Sequence, residues 1–353
     1  MIRRPLMVMV AGAVLTFAGG SPADAQDTDV IIGSEAIEID IGGRVQTQFN
    51  TTTIASEAPS EMILRRARIE LDVTVNDLVS ASIDPDFAGN EVTLKDVYAK
   101  LNFSPQFQLL VGQAYKPFGL LEQTSSTRIL PIERGLRVRG LEAMDEYAIL
   151  NELEYSDRDI GVQVMGEPDF LPLGFRYQAG IFRGPLHGAS NIDDSYQYAA
   201  RFTIQPSEIV RVGAGWSSRH FLDVPVNESD PFVRGHAFEL DAEVGTYDPG
   251  LHLLGEISFG DANPSLGQDF FGAHGWVAWR SEEISPVVSA FEPIFRASYG
   301  DVDEAGETTL LTPGFNVYFG GRNRLMVNYD FVLLGDASDD TEGSFKMQMQ
   351  VAF

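Results

Sequence analysis

The chain has 353 residues, 44% of them hydrophobic, and carries 25 basic against 51 acidic side chains. A net charge of −26 offers no basic surface to a phosphate backbone, so nucleic acid is excluded as a partner. With no cysteine, disulfides and thiol catalysis are excluded as well.

Residues 1–25 read as an export signal. Arg3 and Arg4 form a charged start, "LMVMVAGAVLTFA" follows as an apolar stretch, and Ala23, Asp24 and Ala25 supply an A-x-A cleavage site. The apolar run is too short for a retained membrane helix. The predicted organisation is a signal peptide over 1–25 and a single domain over 26–353 that begins at Gln26. Arg3, Arg4 and Asp24 give the signal a net +1, which leaves −27 on the remainder. No later window holds about 18 continuous apolar residues, so the exported chain is either soluble or crosses a membrane with strands.

Alternation then runs along the chain. "AIEIDIGGRVQTQF" sets Ile37, Ile39, Ile41, Val45 and Phe49 against Glu38, Asp40, Arg44, Gln46 and Gln48. "RRARIELDVTV" sets Ala67, Ile69, Leu71 and Val73 against Arg66, Arg68, Glu70 and Asp72. "YQYAARFTI" and "HAFELDAEVGTY" repeat the pattern around Arg201 and around Glu239, Asp241 and Glu243. Successive strand side chains point to opposite faces, so each run is an amphipathic strand. Such runs predict sixteen strands. They fall near 36–49, 62–76, 79–87, 92–103, 106–115, 157–167, 174–183, 196–205, 208–218, 235–247, 250–260, 271–281, 293–302, 311–320, 323–333 and 344–353.

The connections alternate in length. Those at 50–61, 116–156, 219–234, 261–270 and 334–343 are long, while 77–78, 104–105, 205–207, 248–249 and 322–323 are short. The brief 88–91 and the extended 282–292 depart from this rule. A soluble β-sandwich would bury the apolar faces equally well, but it does not sort its connections and has no place for so many charged faces. The predicted fold is all-β, a sixteen-stranded antiparallel transmembrane β-barrel with long extracellular loops, short periplasmic turns and a wet lumen. Phe49, Phe103, Tyr247, Trp276, Trp279 and Tyr329 lie near predicted strand ends and fit its interfacial aromatic girdles. The final "FKMQMQVAF" alternates strictly to Phe353 and predicts the strand that closes the barrel against the first.

Several stretches resemble the phosphate-selective porin O and P family. They are "LRRARIELDVTV" (64–75), "VTLKDVYAKL" (92–101), "LLVGQAYKPFGLLEQTSSTRILPIERG" (109–135), "YQAGIFRGP" (177–185) and "TPGFNVYFGGRNRLMVNYDFV" (312–332). The most specific piece is the run through Gly112, Gln113, Pro117 and Phe118, followed by Thr124, Ser125 and Ser126. The resemblance implies an outer-membrane barrel, commonly a homotrimer, that passes small ions or solutes and has a long third loop folded into the lumen. Residues 116–156 stand where that constriction loop belongs. It also implies contact with outer-membrane lipid and lipopolysaccharide, and no cofactor. Phe353 matches the terminal aromatic by which the barrel assembly machinery recognises many such chains.

The constriction loop is charge-sorted. Arg128, Arg134, Arg137 and Arg139 precede Gly140 with Glu133 as the one acid, whereas Glu142, Asp145, Glu146, Glu152, Glu154, Asp157 and Asp159 follow around Arg158. Opposed charges in a narrow lumen would set up a transverse field. Arg66 and Arg68 on the wall and Lys116 at the loop base join the candidates, as oxyanion contacts or as partners of Glu70, Asp72, Asp84 and Asp86. Lys95, Lys100, Lys116 and Lys346 are the only lysines, and many lumen positions are acidic, so anion preference (phosphate included) and weak cation preference both stay open. A passive porin is the function expected; a plugged structural barrel and a secreted soluble β-protein are the alternatives. The acids at Asp301, Asp303 and Glu304 and at Asp336, Asp339, Asp340 and Glu342 match no calcium-loop spacing, and the five histidines show no ligand pairing. No nucleophile elbow, phosphate loop or zinc motif points to an enzyme.

Overall fold

A strand with one apolar and one charged face satisfies lipid and water together only when its sheet closes on itself. The computed structural model describes residues 37–53, 60–138, 145–184, 196–221, 233–335 and 341–353. The predicted signal peptide lies outside them. The described residues form β1 (Glu38–Thr51), β2 (Ser60–Thr74), β3 (Val79–Asp86), β4 (Thr93–Ser104), β5 (Phe107–Tyr115) and β6 (Arg158–Gly166). There follow β7 (Arg176–Phe182), β8 (Gln197–Ser207), β9 (Val210–Phe221), β10 (Val233–Val244) and β11 (Gly250–Asn263). The last five are β12 (Gln268–Arg280), β13 (Ala290–Val302), β14 (Gly306–Tyr318), β15 (Arg324–Leu334) and β16 (Thr341–Ala352). Each pairs antiparallel with its chain neighbours, and β1 pairs β16 with Gln46 opposite Gln350 and Phe49 opposite Met347. All sixteen predicted strands are present and the barrel is closed.

The closing strand has the predicted facing. Met347, Met349 and Val351 are exposed outward, while Lys346, Gln348 and Gln350 are buried inside. Two predictions need correction. The connection expected at 261–270 shrinks to 264–267, because Asp261 still pairs with Asp269 and Asn263 with Gln268. Beyond the apolar band a strand no longer has to alternate, so its polar end was invisible to the pattern. Trp276 and Tyr247 also leave the girdle. Trp276 is 4% exposed and packs inside the barrel with Leu120, Leu121 and Leu254, with Tyr247 against the same cluster. Around "FFGAHGWVAW" both strand faces are apolar, so alternation cannot tell lipid from lumen. Phe103 and Trp279 do face outward.

The interior is not uniformly wet. The connection from β5 to β6 enters the lumen and carries α1 (Leu120–Gln123) and α2 (Glu146–Glu152). Phe118, Ile149, Leu150 and Tyr155 of this loop pack on Phe182, Phe221, Phe270 and Val302 of the wall. Each such side chain withdrawn from water contributes about 1.5–3 kcal/mol. Apolar residues on the inner face of β7–β13 therefore hold the loop to that side and leave the β1–β6 side open.

Candidate functional site

Polar side chains of the wall fix the loop's backbone. The Leu120 and Leu121 amides donate to Glu239 Oε2 (3.2 Å) and Glu256 Oε2 (2.8 Å). Arg296 Nη1 donates to the Glu133 and Arg134 carbonyls, both at 2.8 Å. Arg324 Nη2 donates to the Thr127 and Ile129 carbonyls, and Asn328 Oδ1 accepts from the Ile132 amide at 2.7 Å. Hydrogen bonds involving a charged group contribute about 1.5–3 kcal/mol each, so the loop is a rigid part of the barrel rather than a lid. Two strands further round, Arg44 Nη1 of β1 reaches Ser125 Oγ (3.0 Å) and Ser126 Oγ (2.8 Å). Arg65 and Arg66 both pair with Glu133. Residues 125–134 thus form a strut tied along the wall from β13 through β15 and β1 to β2.

Two open cavities flank the strut. One, of about 820 Å³, lies toward the 105–106, 167–175 and 245–249 turns and is lined by five arginines and two glutamates. The other, of about 400 Å³, lies between the strut and β1–β6 and has eight basic and seven acidic side chains on its walls. Gln123 and Ser125 border both. The first cavity is termed the vestibule and the second the eyelet.

Two β-bulges supply the eyelet's extra charges. Gln46 faces Arg66 but Thr47 faces Leu64, so Arg65 is the surplus residue in β2. Ile83 faces Val97 and Pro85 faces Leu94, which leaves Lys95 and Asp96 together opposite Asp84. A bulge re-aims a side chain that strict alternation would push into lipid. Arg65, Arg66, Lys95 and Asp96 all line the eyelet as a result.

The predicted residues divide. Arg66 and Arg68 lie on the lumen face, with Arg66 Nη1 on Gln46 Oε1 (2.7 Å) and Arg68 Nη2 on Asp86 Oδ2 (3.2 Å). Arg134 lines the eyelet but is spent on the carbonyls of Leu121 (2.9 Å), Glu122 (3.2 Å) and Thr124 (2.6 Å). Arg137 is exposed there and donates to Tyr147 Oη at 3.1 Å. Arg128 is exposed in the vestibule, 5.8 Å above the Tyr247 ring. Lys116 lines neither cavity; its ammonium is buried on the Glu154 carbonyl (2.7 Å) and Gln197 Oε1 (3.0 Å). Arg139 lies outside the described residues. The acidic half of the loop divides: Asp157 lines the eyelet and Glu152 is exposed, whereas Asp145 and Glu146 are buried at the start of α2, Asp159 belongs to β6 and Glu142 lies outside the described residues. Sequence reasoning missed Arg44, Arg65 and Lys95 as lining groups. Two adjacent charges inside a strand pattern, Arg65–Arg66 and Lys95–Asp96, are the signal that would have found the last two.

Burial and charge set the loop's protonation. Burial alone would raise Glu133, but the guanidinium groups of Arg65 and Arg66 outweigh it and hold the carboxyl far below its usual range. Burial pushes Asp145 up to about 6, although its Oδ1 caps α2 by accepting from the Ala148 amide at 3.2 Å. Glu146 is raised well above the ordinary value by burial and by Glu256 beside it. The docked helix therefore keeps protons that an undocked loop would lose. Docking is strongest below the ordinary carboxylate range and weakens as pH rises through about 6. Amide exchange in α2 should accordingly be slower at pH 5 than at pH 8 after correction for intrinsic rates. Equal protection would refute the buried-acid account.

Comparison with known proteins places these features in context. The family model described as phosphate-selective porin O and P matches residues 39–230. An anion-selective porin from Comamonas acidovorans superposes with a TM-score of 0.63 at 13% identity, covering 90% of this chain and 100% of that one. The outer-membrane channel DcaP of Acinetobacter baumannii gives 0.61 at 14% identity, covering 91% and 99%. OmpT of Vibrio cholerae gives 0.58 at 14% identity, covering 92% and 100%. At these identities the structural likeness speaks for the fold alone. No curated protein sequence matches the chain.

Proposed function

The chain belongs to the phosphate-selective porin O and P family and is an outer-membrane porin; from that premise we propose how it conducts. Small hydrophilic solutes enter at the loop end, pass the eyelet beside the 125–134 strut, and leave through the turn-end vestibule into the periplasm. The observation that carries this path is that the two cavities share Gln123 and Ser125 as their common border. Five arginines against two glutamates in the vestibule favour a modest anion preference, with phosphate among the ions admitted. Arg128 and Arg137 supply exposed guanidinium groups for it, while Arg66, Arg68 and Arg134 act mainly by shaping the passage.

Planar-bilayer recording of the purified protein tests this. Defined conductance steps are expected, with a reversal potential in a KCl gradient that favours chloride. The double variant Arg128→Ala/Arg137→Ala should lower the chloride-to-potassium permeability ratio by roughly twofold, a change of about 0.4 kcal/mol. An unchanged reversal potential would remove both residues from selectivity, and the absence of any current would favour a plugged structural barrel.

We further propose residues 1–25 as the cleaved signal, so that N-terminal sequencing of the membrane form begins at Gln26. A homotrimer set in lipid and lipopolysaccharide is the assembly proposed. A trimer form is on record for OmpT of Vibrio cholerae, which shares the fold. Cross-linking that yields only monomers would overturn that assembly.

A further inference from the structure

We propose that the eyelet selects small dipolar solutes, molecules that carry one ammonium and one carboxylate group. The inference rests on the porin reading and names the solute class that the smaller of its two lumen cavities fits.

The eyelet's charges are largely sorted by strand, with Glu70 and Asp72 on β2 and Lys95 on β4 as exceptions. Guanidinium groups of Arg44, Arg66 and Arg68, joined by the bulged Arg65, occupy β1 and β2. Carboxylates of Asp84, Asp86 and Asp96 occupy β3 and β4. Adjacent strands lie about 4.8 Å apart, so the two signs are held within the length of one small molecule. Most of these groups are already neutralised in pairs: Arg44 with Glu70, Arg65 and Arg66 with Glu133, Arg68 with Asp86, and Arg158 with Asp96.

What remains after that pairing decides the selectivity. Among the described residues Lys95, Arg134 and Arg137 line the cavity without an ion pair, and so do Asp72, Asp84, Glu122 and Asp157. Arg137 and Asp72 are exposed to the lumen and Lys95 is half-exposed. Three cations and four anions outside any ion pair thus line one space of about 400 Å³, with Arg134 held on loop carbonyls and Asp84 and Glu122 buried in its wall. A simple anion is attracted by the cations and repelled by the carboxylates, and a simple cation meets the reverse. The two contributions nearly cancel for either ion, whereas a dipolar solute places each end against its opposite charge and gains from both. Low-dielectric walls strengthen that gain where the passage is narrow. Selectivity of this kind needs no large net charge, in keeping with the near balance of eight basic and seven acidic lining groups.

The test measures how often solutes interrupt the KCl current of single wild-type channels. The probes are 4-aminobutanoate, butanoate and butylammonium, at one concentration and pH 7. Occupancy by 4-aminobutanoate should exceed that of either singly charged probe by about fivefold. The Asp84→Asn variant should lose most of this excess and bind butanoate better than the wild type does, because the group that repels an anion is gone. Lys95→Gln should do the reverse and favour butylammonium. A general loosening of the wall would move all three probes together, so opposite shifts separate charge recognition from damage to the fold. Equal occupancy by all three probes in the wild type, or variants that leave the ranking unchanged, would overturn the inference while the KCl current keeps the porin reading intact. Absence of KCl current would overturn both.

Discussion

Replacing Glu133 with Gln is expected to make the channel strongly anion-selective. Arg65 and Arg66 both spend their charge on this carboxylate, which is almost fully buried in the strut. Gln keeps the shape and removes the charge, so a unit of positive charge is released at the eyelet wall. One uncompensated charge about 10 Å from a passing ion contributes about 1 kcal/mol after partial screening, or roughly a fivefold change in the chloride-to-potassium ratio. The strut should hold its place, since Arg296 grips the Glu133 and Arg134 carbonyls and not the side chain. Reversal potentials in a KCl gradient give the answer, and a ratio that stays put or moves toward potassium would show that the pair plays no part in selectivity. Acid is no substitute for the mutation. The Glu133 carboxyl is held so low that its pairing is complete above the ordinary carboxylate range and is lost only well below it.

Barrel closure should be the most fragile step of assembly, and Gly43 its most sensitive point. The Gly43 amide donates to the Phe353 carbonyl at 2.9 Å, and the Gly43 carbonyl accepts from the Phe353 amide at 3.1 Å. A Cβ on Gly43 would lie 2.5 Å from the Arg68 carbonyl oxygen and 2.7 Å from the Phe353 ring. Gly43→Val is therefore expected to cut folded protein in the outer membrane by roughly tenfold, the effect of about 1.4 kcal/mol. Deleting Phe353 should do the same for a second reason. The ring is 66% exposed, so it adds little to the core, and the effect expected of its loss is on recognition during assembly. Heat-modifiable migration of membrane fractions measures both variants. Normal levels of the truncated chain would mean that only the seam, and not the terminal aromatic, governs assembly. Channels that do form from either variant should conduct like the wild type.

How much of this was legible beforehand follows from which forces leave a trace in sequence order. The strand faces were readable because lipid on one side and water on the other impose a two-residue period, as in Met347 to Val351. The pairing of β1 with β16 was readable because an unpaired edge cannot sit in lipid. The loop's resting place was not, since Phe182, Phe221 and Phe270 on the inner wall look the same in sequence as lipid-facing residues. Lys116 seemed a lumen charge because its partner Gln197 is far along the chain and met only through barrel curvature. Arg128 and Arg134 are six residues apart in one segment, yet one reaches open space and the other caps three carbonyls. Such divisions of labour depend on loop conformation, which composition does not encode.

The bulges at Arg65 and at Lys95–Asp96 have a consequence for how such a channel can diverge. Within a regular strand, gaining or losing one residue inverts every side chain beyond it and turns charges into the bilayer. At a bulge the same event only removes or restores the surplus residue: without Arg65, Arg66 still faces in and Leu64 still faces out. The eyelet wall thus contains two sites where the reading frame of the sheet has slack. Single-residue insertions and deletions there retune the local field while strand count, shear and the outer surface stay as they are. Pore chemistry in this architecture can change by length as well as by substitution, and it can do so at the height where solutes are sorted.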